Sequence, residues 1–488
     1  MRTWISLCLR YLQLEALRPS WSEPGPYAVI DKERVLIASR QAVALGVGLD
    51  MRCGGVSAVA PAVIMLDRDP DRENLAFEAL GLTLLRYTPE VTYASDNCIL
   101  LDVTASLKLF GGHPSICRLI RQSVNSLGLT CRLACAPTAM AAWLLSRAPA
   151  SKGRRQRRTI KVDTMKRAVD KLPVGLLPST SKLQDWLQGI GCQSVGQLRQ
   201  YPRAALQRRT NEQLILEMDK AYGLAPELFD WIKTPLTFSA RVETHDRIEH
   251  AEALMLGAHS LIAQLIGWLV SLQKAVTRFT LFLEHERGRS AIPPTLLEVA
   301  LAEPVWHEDH LLRLLKERLG RIELIAPVIA LRLEVVQVSD MQPPTDSLFP
   351  EPGGTKEDLN KLMELLTARL GKENVLTLAV KEDHRPEVAN CWVPATDKRP
   401  KQVSDSLDLE RPSWLLKNPI QLLMRDNRPF YSSPLQLIKG PERIECGWFD
   451  KMMTARDYYV AQGQDDTVYW IYLERTNDPR WFLHGFFA

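Results

Sequence analysis

The sequence predicts a multidomain α+β protein, and three observations predict it. The chain has 488 residues, room for three or four domains at about 150 residues each. Its first third alternates strand-like apolar runs with helical periodicity, and a basic helical stretch follows. The last 80 or so residues are crowded with aromatic side chains. Hydrophobic residues make up 46% and charged residues 24%, which excludes a mainly disordered or collagen-like chain. The longest apolar runs, such as Ala60 to Leu66, fall far short of the roughly 20 residues a bilayer span needs. The start (Arg2, then Trp4 to Leu9, then Arg10) is too short for a signal peptide and reads as a buried strand. The nine cysteines include no CxxC pair, and Cys131 and Cys135 have no second pair at zinc spacing. Free, mostly buried thiols in a reducing cytoplasm are the expectation, with no metal site and no cofactor.

Residues 1–168 read as a first α/β-like region. Trp4 to Leu9 and Asn97 to Thr104 are strand-like, Arg72 to Tyr87 is helical, and another helix should follow Pro137. Residues 149–168 are polar and basic, and read as a linker. Residues 169–234 read as all-helical. Here Gly189-Ile190-Gly191 joins two short helices and resembles a helix-hairpin-helix module; a plain helical turn is the alternative. Residues 235–340 read as a compact α+β domain, with strands at Phe279 to Glu284 and Ile329 to Val338 and helices at Ala251 to Leu272 and His310 to Leu319. Residues 341–356 are rich in Pro, Gly and Asp, a linker. Residues 357–488 form an extension that opens with an amphipathic helix ending near Gly371. An antiparallel hairpin is expected from Thr467 to Glu474 and Trp481 to Phe487, with Asn477-Asp478-Pro479 as its turn.

Net charge is only +4, but it is unevenly spread. Between Ser151 and Thr210 fourteen Lys or Arg face only Asp163, Asp170 and Asp185. Such a surplus marks a phosphate-binding region or, alternatively, a solvated basic linker with ordinary surface charge. Glycines in the hairpin let backbone N–H groups approach phosphate closely. Gly189, Gly191, Arg199, Arg203, Arg208 and Arg209 are therefore the candidate DNA contacts, extended by Arg278 and Arg289. Contacts of this kind hold DNA without reading its sequence.

Three strings in order resemble the Y-family translesion DNA polymerases over about the first 340 residues. They are Ser39-Arg40-Gln41-Ala42-Val43-Ala44-Leu45-Gly46-Val47, Ser95-Asp96-Asn97-Cys98-Ile99-Leu100-Leu101-Asp102-Val103-Thr104 and Ala136-Pro137-Thr138-Ala139-Met140. The resemblance implies a palm with fingers, a helix-hairpin-helix thumb and a little-finger domain, here followed by a C-terminal α/β extension. It also implies a departure in chemistry. The family holds two metal ions with acids, yet Ser6 takes the place of the first-strand Asp, and Asn97 and Cys98 take the places of the Asp-Glu pair. Arg40 and Val43 replace the triphosphate-gripping Tyr and Arg, and Ala139 replaces a Lys. Magnesium wants carboxylate oxygens, so no catalytic residue is expected. The rival expectation is an active, divergent enzyme using Asp96, Asp102 and perhaps Glu15. Against it, Asp96 reads as a surface acid at a strand edge, turned to the opposite face by one residue of shift.

The tail narrows the resemblance to the catalytically inactive Y-family relatives found in bacterial SOS mutagenesis cassettes. It rests on Gly440 to Asp450, Arg456-Asp457-Tyr458-Tyr459, Trp481 to Ala488 and Arg411 to Leu416. The resemblance implies a cytoplasmic, nucleoid-associated adaptor that binds DNA, a sliding clamp, a RecA-related partner and an error-prone C-family polymerase. Thr345, Asp346, Ser347, Leu348 and Phe349 resemble a degenerate clamp-binding peptide, with Leu348 and Phe349 as pocket fillers. The alternative is a linker whose apolar pair packs on its own domain. The tail aromatics are interface anchors or, taken singly, core residues.

Overall fold

The computed structural model describes residues 2–149, 158–286, 292–341, 356–381, 383–395, 410–449, 453–475 and 478–487. Residues 1–356 and 357–488 form two compact units.

The first unit opens with β1 (Trp4–Cys8), α1 (Leu12–Glu15), β2 (Tyr27–Asp31), β3 (Arg34–Ala38), α2 (Arg40–Ala44), α3 (Cys53–Val59) and β4 (Ile64–Asp67). Then come α4 (Pro70–Leu84), β5 (Val91–Ala94), β6 (Cys98–Asp102), α5 (His113–Ser126), β7 (Arg132–Ala136) and α6 (Ala139–Arg147). Asp69 caps α4 by accepting from Arg72 N, with Pro70 in the first turn, so the helix starts two residues before its periodicity does. The palm-like sheet runs β5-β6-β1-β7, antiparallel throughout. β1 is buried at all five positions because it is central and covered on both faces. Alternation sends Trp4, Cys8, Cys98 and Leu100 to one core and Ile5, Leu7, Ile99 and Leu101 to the other. A small sheet, β3-β2-β4, carries its own core with α2 and α3.

Helices α7 (Val162–Asp170), α8 (Gln184–Gly189), α9 (Val195–Gln200), α10 (Arg203–Arg209) and α11 (Glu212–Tyr222) follow. Their core is continuous with one face of the palm sheet, running from Trp4 through Trp143 and Leu187 to Tyr222. Gly191 sits at φ +69°, the left-handed turn that lets α8 reverse into α9.

The next part holds β8 (Ser239–Ile248), α12 (Met255–Ser271), β9 (Lys274–His285), β10 (Thr295–Val305), α13 (Glu308–Leu319) and β11 (Val328–Asp340), in sheet order β10-β9-β11-β8. Here the reading of apolar runs needs a correction. Ala251–Ser271 is long and apolar enough for a membrane span, yet 72% of its most apolar window is buried inside the fold. It is apolar all round because α12 packs its own sheet's core on one side and α4 on the other. The two helices are so close at Gly267 that a Cβ there would meet the Leu82 carbonyl oxygen and the Thr83 Cα.

The second unit begins with α14 (Lys356–Leu370) and the hairpin β12 (Leu376–Val380) and β13 (Asn390–Pro394). Strands β14 (Trp414–Gln421), β15 (Leu423–Arg425), β16 (Arg428–Tyr431), β17 (Ser433–Pro434), β18 (Gln436–Cys446), β19 (Thr454–Gln462), β20 (Val468–Glu474) and β21 (Trp481–Phe486) complete it. The main sheet is β14-β21-β20-β19-β18, and β20 and β21 pair antiparallel as the sequence predicts. Asn477 of the expected turn lies outside the described residues. Tyr458 and Trp470 stack at 4.1 Å in a core on one face of this sheet. Tyr469, Ile471 and Leu483 pack on the other. Most strand aromatics are therefore core, whereas Trp414, Trp448 and Phe449 are exposed.

Candidate functional site

Of the residues that the sequence resemblance sets against polymerase acids, Ser6 lies midway along β1, opposite Leu100, and Asn97 and Cys98 lie at the start of β6. Ser6 is fully buried, with its Oγ 2.9 Å from Ser146 Oγ on α6. Cys8 faces Cys98 directly across the two strands. Asn97 and Asp96 precede β6 in the hairpin turn from β5, both left-handed at φ 53° and 59°. Short polar side chains tolerate that conformation in a tight turn. Asp96 is thus a turn residue, and the strand alternation expected to point it away does not apply.

Asp96 is held by Arg147, the last residue of α6. The guanidinium lies 2.6 Å from Asp96 Oδ2, donates to the Leu176 carbonyl at 2.9 Å and stacks over Trp143 at 4.0 Å. Trp143 in turn donates to the Ser95 carbonyl at 3.1 Å. The end of the sheet therefore presents a fixed positive charge, a hydroxyl pair, an amide and two thiols. This set does not fit the two magnesium ions that the sequence resemblance implies. Magnesium is a hard cation that binds carboxylate oxygens, thiols favour soft metals, and Arg147 already occupies the nearest carboxylate. Among the described residues no group of three or more His, Cys, Asp or Glu is placed to hold a metal.

The other acids of the rival scheme are elsewhere. Asp102 is at the far end of β6, roughly 13 Å along the strand from Cys98, where it accepts from Thr104 N and Oγ1. Glu15 is buried and accepts from Thr130 N at 2.8 Å and from Thr130 Oγ1. Burial raises its pKa, and those two bonds oppose the rise. Asp96, Asp102 and Glu15 each have separate structural partners.

Arg40, Val43 and Ala139 are the residues that the sequence resemblance sets against phosphate contacts. Arg40 and Val43 are exposed on α2. At Ala139 the start of α6 is already filled: the Glu227 carboxylate accepts from Ala139 N and Met140 N, both at 3.0 Å. A helix N-terminus favours an anion, and this chain supplies its own. Burial pushes Glu227 up to about 7 despite those two bonds. Sequence reading missed Glu227 because 88 residues separate it from Ala139 and no spacing rule links them.

In the thumb-like helices Gly189 ends α8 and Gly191 makes the turn. The hairpin N–H groups are in part used internally: Gly191 N donates to the Gln188 carbonyl at 3.0 Å, and Ser194 and Gln197 form a capping box on α9. The four arginines divide. Arg199 pairs with Asp170 at 3.4 Å and stacks over Tyr222. Arg203 binds both carboxylate oxygens of Asp219, an acid outside the basic stretch 151–210. Arg208 and Arg209 are exposed at the end of α10 and make no ion pair among the described residues. Arg278 pairs with Glu298 at 3.3 Å. Arg289, Lys152, Arg154, Arg155, Arg157 and the peptide Thr345 to Phe349 lie outside the described residues.

Residues 11–147 match the impB/mucB/samB family model. That segment builds strands β5, β6 and β7 of the four-stranded sheet. Along most of its length the chain is ImuB-like: it is 26% identical to Protein ImuB of Caulobacter vibrioides strain NA1000 / CB15N over 460 residues, covering 88% of this chain and 97% of the relative. Protein ImuB of strain ATCC 19089 / CIP 103742 / CB 15 matches to the same extent. Among solved structures, a Dbh ternary complex is 16% identical with a TM-score of 0.40, over 68% of this chain and 98% of that one. An insertion ternary complex of Dbh DNA polymerase is 15% identical with a TM-score of 0.40, over 69% and 99%.

Proposed function

We propose that this protein is a non-catalytic, DNA-binding adaptor of damage-induced translesion synthesis in the bacterial cytoplasm, at the nucleoid. One observation supports the non-catalytic part: Arg147 is ion-paired to Asp96, next in sequence to Asn97 and Cys98, which the sequence resemblance sets against metal-holding acids. Two-metal phosphoryl transfer needs anionic oxygens to clamp the ions, and this arrangement offers a cation. The likeness to ImuB supports placing the chain in SOS mutagenesis. DNA would be held through the α8–α9 hairpin and the exposed Arg208 and Arg209, without sequence readout. Through the linker and the C-terminal unit the adaptor would join a sliding clamp, an ImuA-like RecA-related protein and an error-prone C-family polymerase.

Titration of the full chain with the clamp tests the adaptor reading. Leu348→Ala with Phe349→Ala should weaken binding at least tenfold while leaving DNA binding unchanged. Clamp affinity that ignores both changes would place the docking point elsewhere.

A further inference from the structure

The thiols that replace polymerase acids have a geometry of their own. In the β1–β6 ladder Leu9 N donates to the Asn97 carbonyl and Val103 N to the Thr3 carbonyl, each at 3.0 Å. Hydrogen-bonded and non-hydrogen-bonded pairs alternate in an antiparallel ladder, so Cys8 and Cys98 are a directly opposed, non-hydrogen-bonded pair. Such a pair brings its Cα atoms to about 4.5 Å with the side chains close together, inside the range of about 4.4–6.8 Å that a disulfide spans. Cys98 is wholly buried, whereas Cys8 keeps 6% exposure beside exposed Arg10. A second thiol pair, Cys117 and Cys135 with sulfurs 3.5 Å apart, lies on the other face of the sheet. It is the built-in comparison, being exposed by only 0 and 2%.

We propose that Cys8 and Cys98 form a reversible disulfide under hydrogen peroxide, making this end of the palm-like sheet an oxidant-sensitive modification site. The Cys8 thiolate attacks one peroxide oxygen, the O–O bond breaks, and the leaving hydroxide takes up the proton Cys8 gave up and departs as water. The product is the Cys8 sulfenic acid. Cys98 then attacks that sulfur, the S–S bond forms, and the hydroxyl leaves with the Cys98 proton as a second water. One peroxide is reduced to two waters as two thiols become one disulfide. Neighbouring Cys98 lowers the Cys8 thiol below its ordinary value, against burial and with help from the charges of Arg147, Arg132 and Arg10. The attacking species is the thiolate, which that lowering favours. Cys98 also donates to the Asp96 carbonyl at 3.4 Å. Oxidation removes that bond from the turn that carries the partner of Arg147.

The test is disulfide mapping of the full chain. Protein is exposed to graded hydrogen peroxide, quenched, unfolded in an alkylating reagent, digested and analysed by mass spectrometry. A linked Cys8–Cys98 peptide should rise as free Cys8 and free Cys98 fall together, and dithiothreitol should reverse it. In Cys8→Ser, Cys98 should stay a free thiol at the same dose. Recovery of free Cys8 and Cys98 from native protein at doses that oxidise half-buried Cys53 would overturn the proposal. So would a link between Cys117 and Cys135 in its place.

Discussion

Arg147 and Asp96 meet at 2.6 Å at the end of the palm-like sheet. The pair joins the C-terminus of α6, where a cation suits the helix dipole, to the β5–β6 turn. Through the Leu176 carbonyl it also reaches the first turn after α7. This end of the sheet therefore presents a guanidinium held in three contacts.

Arg147→Ala should therefore cost more than removal of its partner's charge. Loss of the ion pair, the bond to Leu176 and the stacking on Trp143 should lower stability by about 2–3 kcal/mol. Asp96→Asn should cost no more than about 1 kcal/mol, because its side chain is 53% exposed. Urea unfolding of both variants measures the difference. Equal losses would mean that the Leu176 and Trp143 contacts contribute nothing.

The α4–α12 contact should tolerate no side chain at Gly267. A Cβ there meets backbone, which cannot swing aside. Gly267→Val should cost upwards of about 3 kcal/mol. Gly54→Ala, in α3 with open space around it, should be neutral or slightly stabilising. Thermal unfolding of the two variants side by side checks the contrast.

The division of the thumb arginines predicts unequal effects on DNA. Arg208→Glu with Arg209→Glu should weaken primer–template binding at all sequences and flatten the salt dependence by a slope of about 2. Arg203→Ala should change DNA affinity little, because its guanidinium is committed to Asp219. Fluorescence anisotropy across a salt series reads both.

The C-terminal unit should be acid-sensitive through His484. It is 1% exposed, its Nδ1 is 2.9 Å from the Tyr458 hydroxyl, and burial lowers its pKa to about 4. The folded state thus binds this proton less readily than the unfolded chain, whose imidazole titrates near 6.5. The stability contribution is complete above about 6.5 and is lost as pH falls through about 4. Unfolding midpoints of the full chain between pH 7 and 4 should fall less steeply in His484→Gln than in the native protein.

Much of this was legible in the sequence, for identifiable reasons. β1 and β6 were readable because strands covered on both faces are written as unbroken apolar runs. The Gly189–Gly191 turn was readable because glycine carries its own backbone signature. Ser6, Asn97 and Cys98 were readable as residue types, none of which carries a carboxylate. What escaped was long-range pairing. Glu227 on the start of α6, Asp219 on Arg203 and Arg147 on Asp96 join residues between 16 and 88 positions apart, with no period to reveal them. α12 looked ordinary run by run, and only its double burial explains why it is apolar on every face. Asp96 was assigned to a strand because the left-handed turn at Asp96-Asn97 contains no glycine to announce it.

The central proposal is a protein that holds DNA without extending it. The direct measurement is primer–template binding and primer extension on one preparation, with magnesium and then manganese, for the native chain and Asp96→Ala. The account predicts salt-sensitive binding and no extension by either protein. Extension by the native chain that disappears in Asp96→Ala would contradict it, and would mean that Asp96 leaves Arg147 to hold a catalytic metal.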